Sequence, residues 1–442
     1  MNKRVVITGM GVVAPNGVGK KNFLDAIKKG KSGIKFIPEL KELNFNCQIG
    51  GIPNIDNSKC NNLLKKYSLS AAASTIKYAV IAGLEAWKDA GYIIPEYDSK
   101  DVDYNTGIII GSGAGSIGFV GSKIVPLVNK GLGKKLRSTT AEYAMHSGSS
   151  VALSGILALG NQITANSSAC ATGTESVIMG YNRIKSGKAK AMLVGGTEAY
   201  SPYIWMGFDV LRVSTRKYNN NPLKASRPMS ASASGFVPGA GAGVLLIEDL
   251  DTALKRDARI YAEIIGTHIN SGGQRNNGSM TAPNPDGVQR CIKQAIKSAG
   301  IKPQKIDYIS GHLTSTMADP IEIKNWTKAL NREKSNFPYI NSLKSMTGHC
   351  IGATGAIETI SAVLEIYHNF IYPCINCEDL HPEIAKMVDR NKIPQKIINN
   401  IDLNYVAKAS FGFGDVNSCL ILKKLVNLQI NKYKTIKNYE KY

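Results

Sequence analysis

The stretch ANSSACATGTESVIMGYNRIKSGKAKAMLVGG, residues 165–196, passes through three patterns. Residues 165–176 are small or polar and carry one thiol, Cys170, near their centre. Apolar residues then recur at Val177, Ile178, Tyr181 and Ile184, on one helical face, and Gly187 follows, so the spacing predicts a helix over 171–186. The apolar run from Ala189 reads as a strand. Cys170 therefore falls at or just before a helix's first turn. Unpaired N–H groups and the positive end of the helix dipole meet there, and such settings draw a cysteine pKa down to about 3.5–7.5. The residues alone leave two readings: a nucleophile at a helix entrance, or a small apolar group filling a tight turn.

Working outward, the same alternation continues. Strand-like runs appear as RVVITGMGVV, TGIIIGSG, GAGVLLIEDL, RIYAEIIGTHI, KIDYISGHL, FPYINSL and YVAKASFGFGDVNSCLILKK, each bounded by glycine or asparagine. Between them lie helical patterns such as Ile76, Val80, Leu84 and Trp87, closed by Gly91. Alternating strands and helices predict an α/β fold, and the unbroken Val/Ile/Leu runs predict sheets buried on both faces. GMGVVA (9–14) and GAGSIG (113–118) match the spelling of a dinucleotide-binding turn. Pro15-Asn16-Gly17 interrupts the first helix start, and no acidic residue stands between Phe119 and Ala141, so both read as strand-end turns.

Composition narrows the function classes. With 442 residues, 43% of them apolar, the chain can bury a large core. No run reaches the roughly 18 apolar residues of a membrane span, and the N-terminal residues lead directly into a strand-like run, so the expectation is a cytoplasmic protein. The formal charge of +21 makes an acidic partner plausible, while the absence of a zinc-finger, helix-turn-helix or aromatic-interleaved basic motif argues against nucleic acid. The eight cysteines form no disulfide-like framework. Cys374 and Cys377 make a C-x-x-C, but neither further zinc ligands nor a thioredoxin-like context accompany it, and no metal site is expected. Residues 425–442 read as a basic tail.

Two histidines follow strand-like runs amid small and hydroxyl residues: His312 in YISGHLTSTMADPIE and His349 in NSLKSMTGHCIGATGAIE, with Lys344 five residues before the second. Such strand-to-loop positions project side chains into a cleft at a sheet's carboxyl end; a satisfied structural histidine is the alternative. In ASFGFGDVNSCLIL, residues 409–422, aromatics alternate with glycine, so the backbone either offers a free N–H to an oxyanion or forms an ordinary turn.

These segments, in this order, resemble the ketoacyl-acyl carrier protein synthases of the type I/II family. The matching motifs are SSACATGTES, GHLTSTMADPIE, KSMTGHCIGATGAIE and FGFGDVN, with VVITGMGVVAPNGVG, STRKYNNNPLKASRPMSASASGFVPGAGAGVLLIED and PCIN also in register, over about residues 3–424. The resemblance implies a thiolase-like layered α-β-α-β-α fold of two similar halves, placed at 1–255 and 256–424, and a homodimer. It implies that Cys170 accepts an acyl chain from a carrier-protein thioester, and that His312 and His349 stabilise the enolate formed when malonyl-acyl carrier protein loses CO₂. It further assigns Lys344 to charge and orientation near the second histidine and Glu358 to ordering that network. Phe413 becomes a gating residue with an oxyanion N–H, Thr314 and Thr316 hold the pantetheine arm, and Ala114 lines the acyl pocket. No cofactor is bound on this reading; phosphopantetheine arrives on the acyl carrier protein.

The chain departs from the family pattern at Leu313, Asp415 and Val416, and has Ala114 where some members carry a bulkier residue. These departures put acyl length and shape in doubt. Two alternatives are a non-catalytic chain-length partner subunit, against which the joint presence of Cys170, His312, Lys344 and His349 argues, and a thiolase acting on coenzyme A esters, which needs a second acid/base cysteine. A cysteine hydrolase would need an ordered Cys-His-Asn/Asp set that the sequence does not supply.

Overall fold

One order of elements occurs twice along the chain. The first pass runs β1 (Val5–Ala14), α1 (Ser74–Asp89), β2 (Thr106–Gly111), α2 (Gly148–Leu157), β3 (Ile163–Thr164), α3 (Thr172–Lys185), β4 (Ala191–Glu198) and β5 (Gly241–Asp249). The second runs β6 (Ala262–Ser271), α4 (Pro285–Ser298), β7 (Tyr308–Ser310), α5 (Asp319–Leu330), β8 (Tyr339–Asn341), α6 (Thr354–His368), β9 (Tyr405–Gly412) and β10 (Val416–Lys423). The computed structural model describes residues 3–425 apart from Tyr97, so the basic tail read at 425–442 lies, except for Leu425, outside the described residues.

Strand pairing repeats the same duplication. The mixed sheet runs β8-β7-β9-β10-β6-β1-β5-β4-β2-β3, so each half has the order first-fifth-fourth-second-third from the junction outward. In each half the outer three strands are parallel and the inner two antiparallel. The halves join through an antiparallel contact of β1 with β6, Val5 opposite Ile264 and Ile7 opposite Ala262. The duplication is strong in topology although the sequence shows little internal repetition, because a fold constrains apolar spacing more than residue identity.

Three apolar clusters define the helix layers. In the centre, Val177, Ile178, Tyr181 and Ile184 of α3 and Ile357, Ile360, Val363 and Leu364 of α6 pack with Val5 and Ile7 of β1, Leu245 of β5 and Leu420 of β10. One outer layer joins Ile76, Val80, Leu84 and Trp87 of α1 to Ile108 and Ile110 of β2. The other joins Val288 and Ile292 of α4 and Ile323 and Trp326 of α5 to Ile309 of β7 and Ile421 of β10. The result is helix-sheet-helix-sheet-helix, and β1, β4 and β5 are buried along their whole length, as strands covered on both faces must be. No helix among the described residues is long and apolar enough to cross a membrane.

Candidate active site

The site forms where α3 and α6 begin. A Cβ built on Gly173 would stand 2.6 Å from the Ala356 nitrogen, and one on Gly355 would stand 2.5 Å from the Thr174 nitrogen. Two side-chain-free positions thus let the helix entrances touch backbone to backbone. Each helix is entered through a 3₁₀ turn, Ala169–Ala171 before α3 and Ile351–Ala353 before α6. Each turn starts on a residue with positive φ, Ala169 at 47° and Ile351 at 48°. That conformation is uncommon for alanine and an outlier for β-branched isoleucine, so packing holds both.

This crossing, with the β7–α5 loop, gathers three predicted residues. The reactive side-chain atoms of Cys170, His312 and His349 all lie within 4.8 Å of one another, and the two imidazole rings meet edge to face with centroids 5.4 Å apart. Cys170 is half-buried, while both histidines are buried. The backbone N–H groups of Phe413 and of Cys170 itself lie by the sulfur and favour its charged form. Phe413 follows β9, and its N–H comes this close because Gly412 has no side chain: a Cβ there would lie 3.1 Å from the Cys170 nitrogen. The Phe413 ring packs on Phe208, which packs on Phe236, which in turn meets the His349 ring at 5.4 Å.

Electrostatics correct one expectation. The helix entrance predicts a thiol of lowered pKa, yet burial outweighs the Phe413 hydrogen bond and the nearby Lys344 charge and pushes Cys170 up to about 11. The sulfur is a protonated thiol at neutral pH. Both imidazoles are driven well below their ordinary 6.5, by burial first and then by the Lys344 charge, and so are neutral. The Ile351 N–H donates to His349 Nδ1 at 3.1 Å, and the Thr354 hydroxyl lies 3.0 Å from the same atom. A backbone N–H can only donate, so Nδ1 is the acceptor and the His349 proton sits on Nε2. Nδ1 of His312 is buried and has no hydrogen-bond partner among the described residues.

Charged groups beneath the histidines fix their backbone. Lys344 donates to the His312 carbonyl and pairs with Glu358 Oε1 at 2.5 Å. Glu358 Oε2 faces Lys408 at 2.9 Å. Glu322 accepts the N–H groups of His312 and Leu313, both at 2.7 Å, and burial raises its pKa to about 7. Glu198, likewise raised to about 7 by burial, accepts from Gly113, Ala114 and Gly352 N–H groups and so ties the 112–114 loop to the turn after His349.

The other predicted residues lie around this centre. Thr314 and Thr316 share a hydrogen bond at 2.9 Å on the half-exposed loop after His312. Ala114 is linked to the centre through Glu198. Leu313 turns its bulk into the outer core with Ile309 and Trp326 rather than toward the thiol. Asp415 adopts the left-handed conformation at φ 62°, and its carboxylate accepts the N–H groups of Asn284 at 2.8 Å and Gln274 at 2.9 Å. Cys374 and Cys377 are buried, outside the cluster.

Sequence reasoning missed the roles of Glu198, Glu322 and Lys408. A charge inside the apolar strand YVAKAS was the available signal for Lys408, since fully buried lysines are rare unless paired.

The sequence model of the beta-ketoacyl synthase N-terminal domain matches residues 2–253, and that of the C-terminal domain matches residues 261–378. A 3-oxoacyl-[acyl-carrier-protein] synthase 1 of Buchnera aphidicola is 38% identical, the match covering 96% of this chain and 100% of that protein. A 3-oxoacyl-[acyl-carrier-protein] synthase 2 of Vibrio harveyi is 34% identical over 96% of this chain and 99% of its own length. Among solved structures, a type II PKS acyl-carrier protein in complex with its ketosynthase bound to the hexaketide superposes with a TM-score of 0.84 at 28% identity, covering 96% of this chain and 100% of that chain.

Proposed function

This chain belongs to the beta-ketoacyl synthase family, and we propose from that premise that it is a 3-oxoacyl-acyl carrier protein synthase, an acyltransferase that lengthens an acyl chain by two carbons. The observation that carries the reading is the meeting of the Cys170 thiol with two neutral imidazoles within 4.8 Å.

In the first half-reaction Cys170 sulfur attacks the thioester carbonyl of an acyl-acyl carrier protein. The carbonyl oxygen takes up negative charge beside the N–H groups of Cys170 and Phe413, the C–S bond to the pantetheine arm breaks, and the proton lost by Cys170 ends on the departing thiol. In the second, the malonyl thioester carbonyl lies at the two imidazoles. The bond to the terminal carboxylate breaks, CO₂ leaves with that group's former carbon, and the enolate oxygen is held by the His349 Nε2–H and by His312. The enolate carbon then bonds to the acyl carbonyl and expels the Cys170 thiolate, which takes a proton from solvent.

The phosphopantetheine arm belongs to the carrier-protein partner and passes Thr314 and Thr316, while the acyl chain runs toward Ala114. Lys344 and Glu358 orient the His312 backbone. A homodimer formed along β3 is part of the reading, supported by an edge strand with Ile163 41% exposed and Tyr104 71% exposed nearby. So is a division of the chain near residue 255, supported by family models that stop at 253 and resume at 261.

The test is intact-mass detection of acyl groups on Cys170 from a panel of carrier-protein thioesters, together with CO₂ and product assays. Cys170→Ala is expected to abolish condensation, and His312→Ala and His349→Ala to abolish CO₂ release. Undiminished condensation by Cys170→Ala would sink the reading.

A further inference from the structure

Lys408 stands in the middle of β9 and is fully buried. Its ammonium donates to the Ala409 carbonyl and to the Ser410 hydroxyl at 3.0 Å, and Ser410 in turn shares a hydrogen bond of 2.9 Å with Thr174 on α3. Its charge faces Glu358 Oε2 at 2.9 Å. Glu358 already has a partner, since Lys344 holds the other oxygen. A single carboxylate therefore sits between two buried ammonium groups.

An ammonium taken out of water is costly unless a carboxylate repays it. The Lys344–Glu358 pair is balanced without Lys408, so Lys408 adds positive charge that the pair does not need. Burial draws the Lys408 ammonium below its ordinary 10.5 while Glu358 holds it up, and Glu322, a further carboxylate acting on it, is held at a pKa of about 7 and carries only part of a negative charge at neutral pH. Both imidazoles feel the Lys408 charge. The largest charge influences on Cys170, by contrast, come from Lys344 and Glu198. The surplus charge is thus directed at the histidine side of the site, where a malonyl group would bring a carboxylate and leave an enolate. In a site shut off from water, a fixed cation acts strongly on developing anionic charge.

Resting on the functional reading above, we propose that Lys408 is a positioning residue for the decarboxylation half-reaction. It anchors the far oxygen of Glu358, through which Lys344 is held under His312, and its positive charge favours the passage of the malonyl group's negative charge from the departing carboxylate to the enolate oxygen at the histidines. The role is selective: it serves loss of CO₂ and leaves acyl transfer to Cys170 largely alone.

The experiment compares the full chain with Lys408→Met, which keeps length without charge, and Lys408→Ala, which leaves room for a small cation. Two half-reactions are measured separately: acyl transfer from an acyl-acyl carrier protein to Cys170 by intact mass, and CO₂ release from malonyl-acyl carrier protein. Both variants should lose CO₂ release by at least about tenfold, with acyl transfer within about threefold of the wild type. Methylammonium chloride should restore part of the CO₂ release in Lys408→Ala, and sodium chloride at equal ionic strength should not. Equal loss of both half-reactions, including loss through misfolding, would assign Lys408 a scaffold role and overturn the proposal, as would unchanged CO₂ release in Lys408→Met. Wild-type protein that releases no CO₂ from malonyl-acyl carrier protein would overturn the functional reading itself, and the inference with it.

Discussion

The backbone N–H of Ile351 donates to Nδ1 of His349 at 3.1 Å, two residues along the chain, from a turn in which Ile351 is held at φ 48°. The bond fixes the tautomer of a neutral ring, and protonating Nδ1 would break it.

The first prediction concerns pH. Burial and then the Lys344 charge hold both imidazoles well below 6.5. CO₂ release should therefore stay level as pH falls through 6.5 and decline only below it; a midpoint at or above 6.5 would contradict the neutral pair. The same shifts act on stability. The unfolded chain takes up protons near pH 6.5 that the folded histidines refuse, which works against folding as pH drops, while Glu198 and Glu322, raised to about 7, take up protons first in the folded chain and work for it, so His312→Ala and His349→Ala should each remove part of the stability loss below about 6.5. Denaturant midpoints across that range measure it.

Cys170 gives the second. With a pKa pushed up to about 11 by burial, its thiolate is scarce at neutral pH. Iodoacetamide labelling, followed by intact mass, should quicken about tenfold per pH unit from 7 to 10. A plateau below pH 9 would mean that the helix entrance outweighs burial.

Backbone contact between the two helix entrances is open to test at Gly173. A Cβ there meets the Ala356 nitrogen at 2.6 Å. Gly173→Ala should cost about 1–3 kcal/mol in urea unfolding and slow acyl transfer, because the thiol moves with the start of α3. A variant with unchanged midpoint and unchanged rate would show that the crossing yields without consequence.

Asp415 binds the turn carrying Phe413 to the 272–284 segment. Its two oxygens accept from Asn284 and Gln274, and its carbonyl accepts from Gly272 at 3.1 Å. Asp415→Ala leaves the buried Asn284 N–H unpaired and should destabilise by about 1–3 kcal/mol, with faster hydrogen exchange at the Gln274 and Asn284 amides. Asp415→Asn, which keeps one acceptor, should fall between. Unchanged exchange in Asp415→Ala would exclude the tether.

The exposed edge of β3 supplies the last. Ile163→Asp places a charge on the edge proposed to face a second copy, so light scattering should shift toward the monomer while the far-UV spectrum stays the same. A dimer unaffected by the change would locate the interface elsewhere.

The long strands and the helices with a clear apolar stripe were legible in the sequence because burial imposes a period on residue type. The helix predicted over 171–186 is observed as α3, Thr172–Lys185, preceded by the turn Ala169–Ala171. The doubled topology was not legible, since the halves share apolar spacing without shared residues. Leu313 departs from the family pattern beside His312, but only packing shows that its side chain enters the outer core with Ile309 and Trp326.

The sequence by itself determined the inventory: a thiol at a helix start, two histidines at loop positions, a glycine-aromatic turn, and the order in which they come. It also determined the local shape of the elements that carry them, because spacing and caps act over a few residues. Tertiary structure alone decided that Gly173 and Gly355 bring two helix entrances into contact, and that this contact sets Cys170 beside His349 across almost 180 residues of chain. It decided too that the cysteine is a protonated thiol and the imidazoles neutral, and that one carboxylate lies between Lys344 and Lys408. Those outcomes depend on desolvation and on charges from distant segments, and neither exists until the chain is packed.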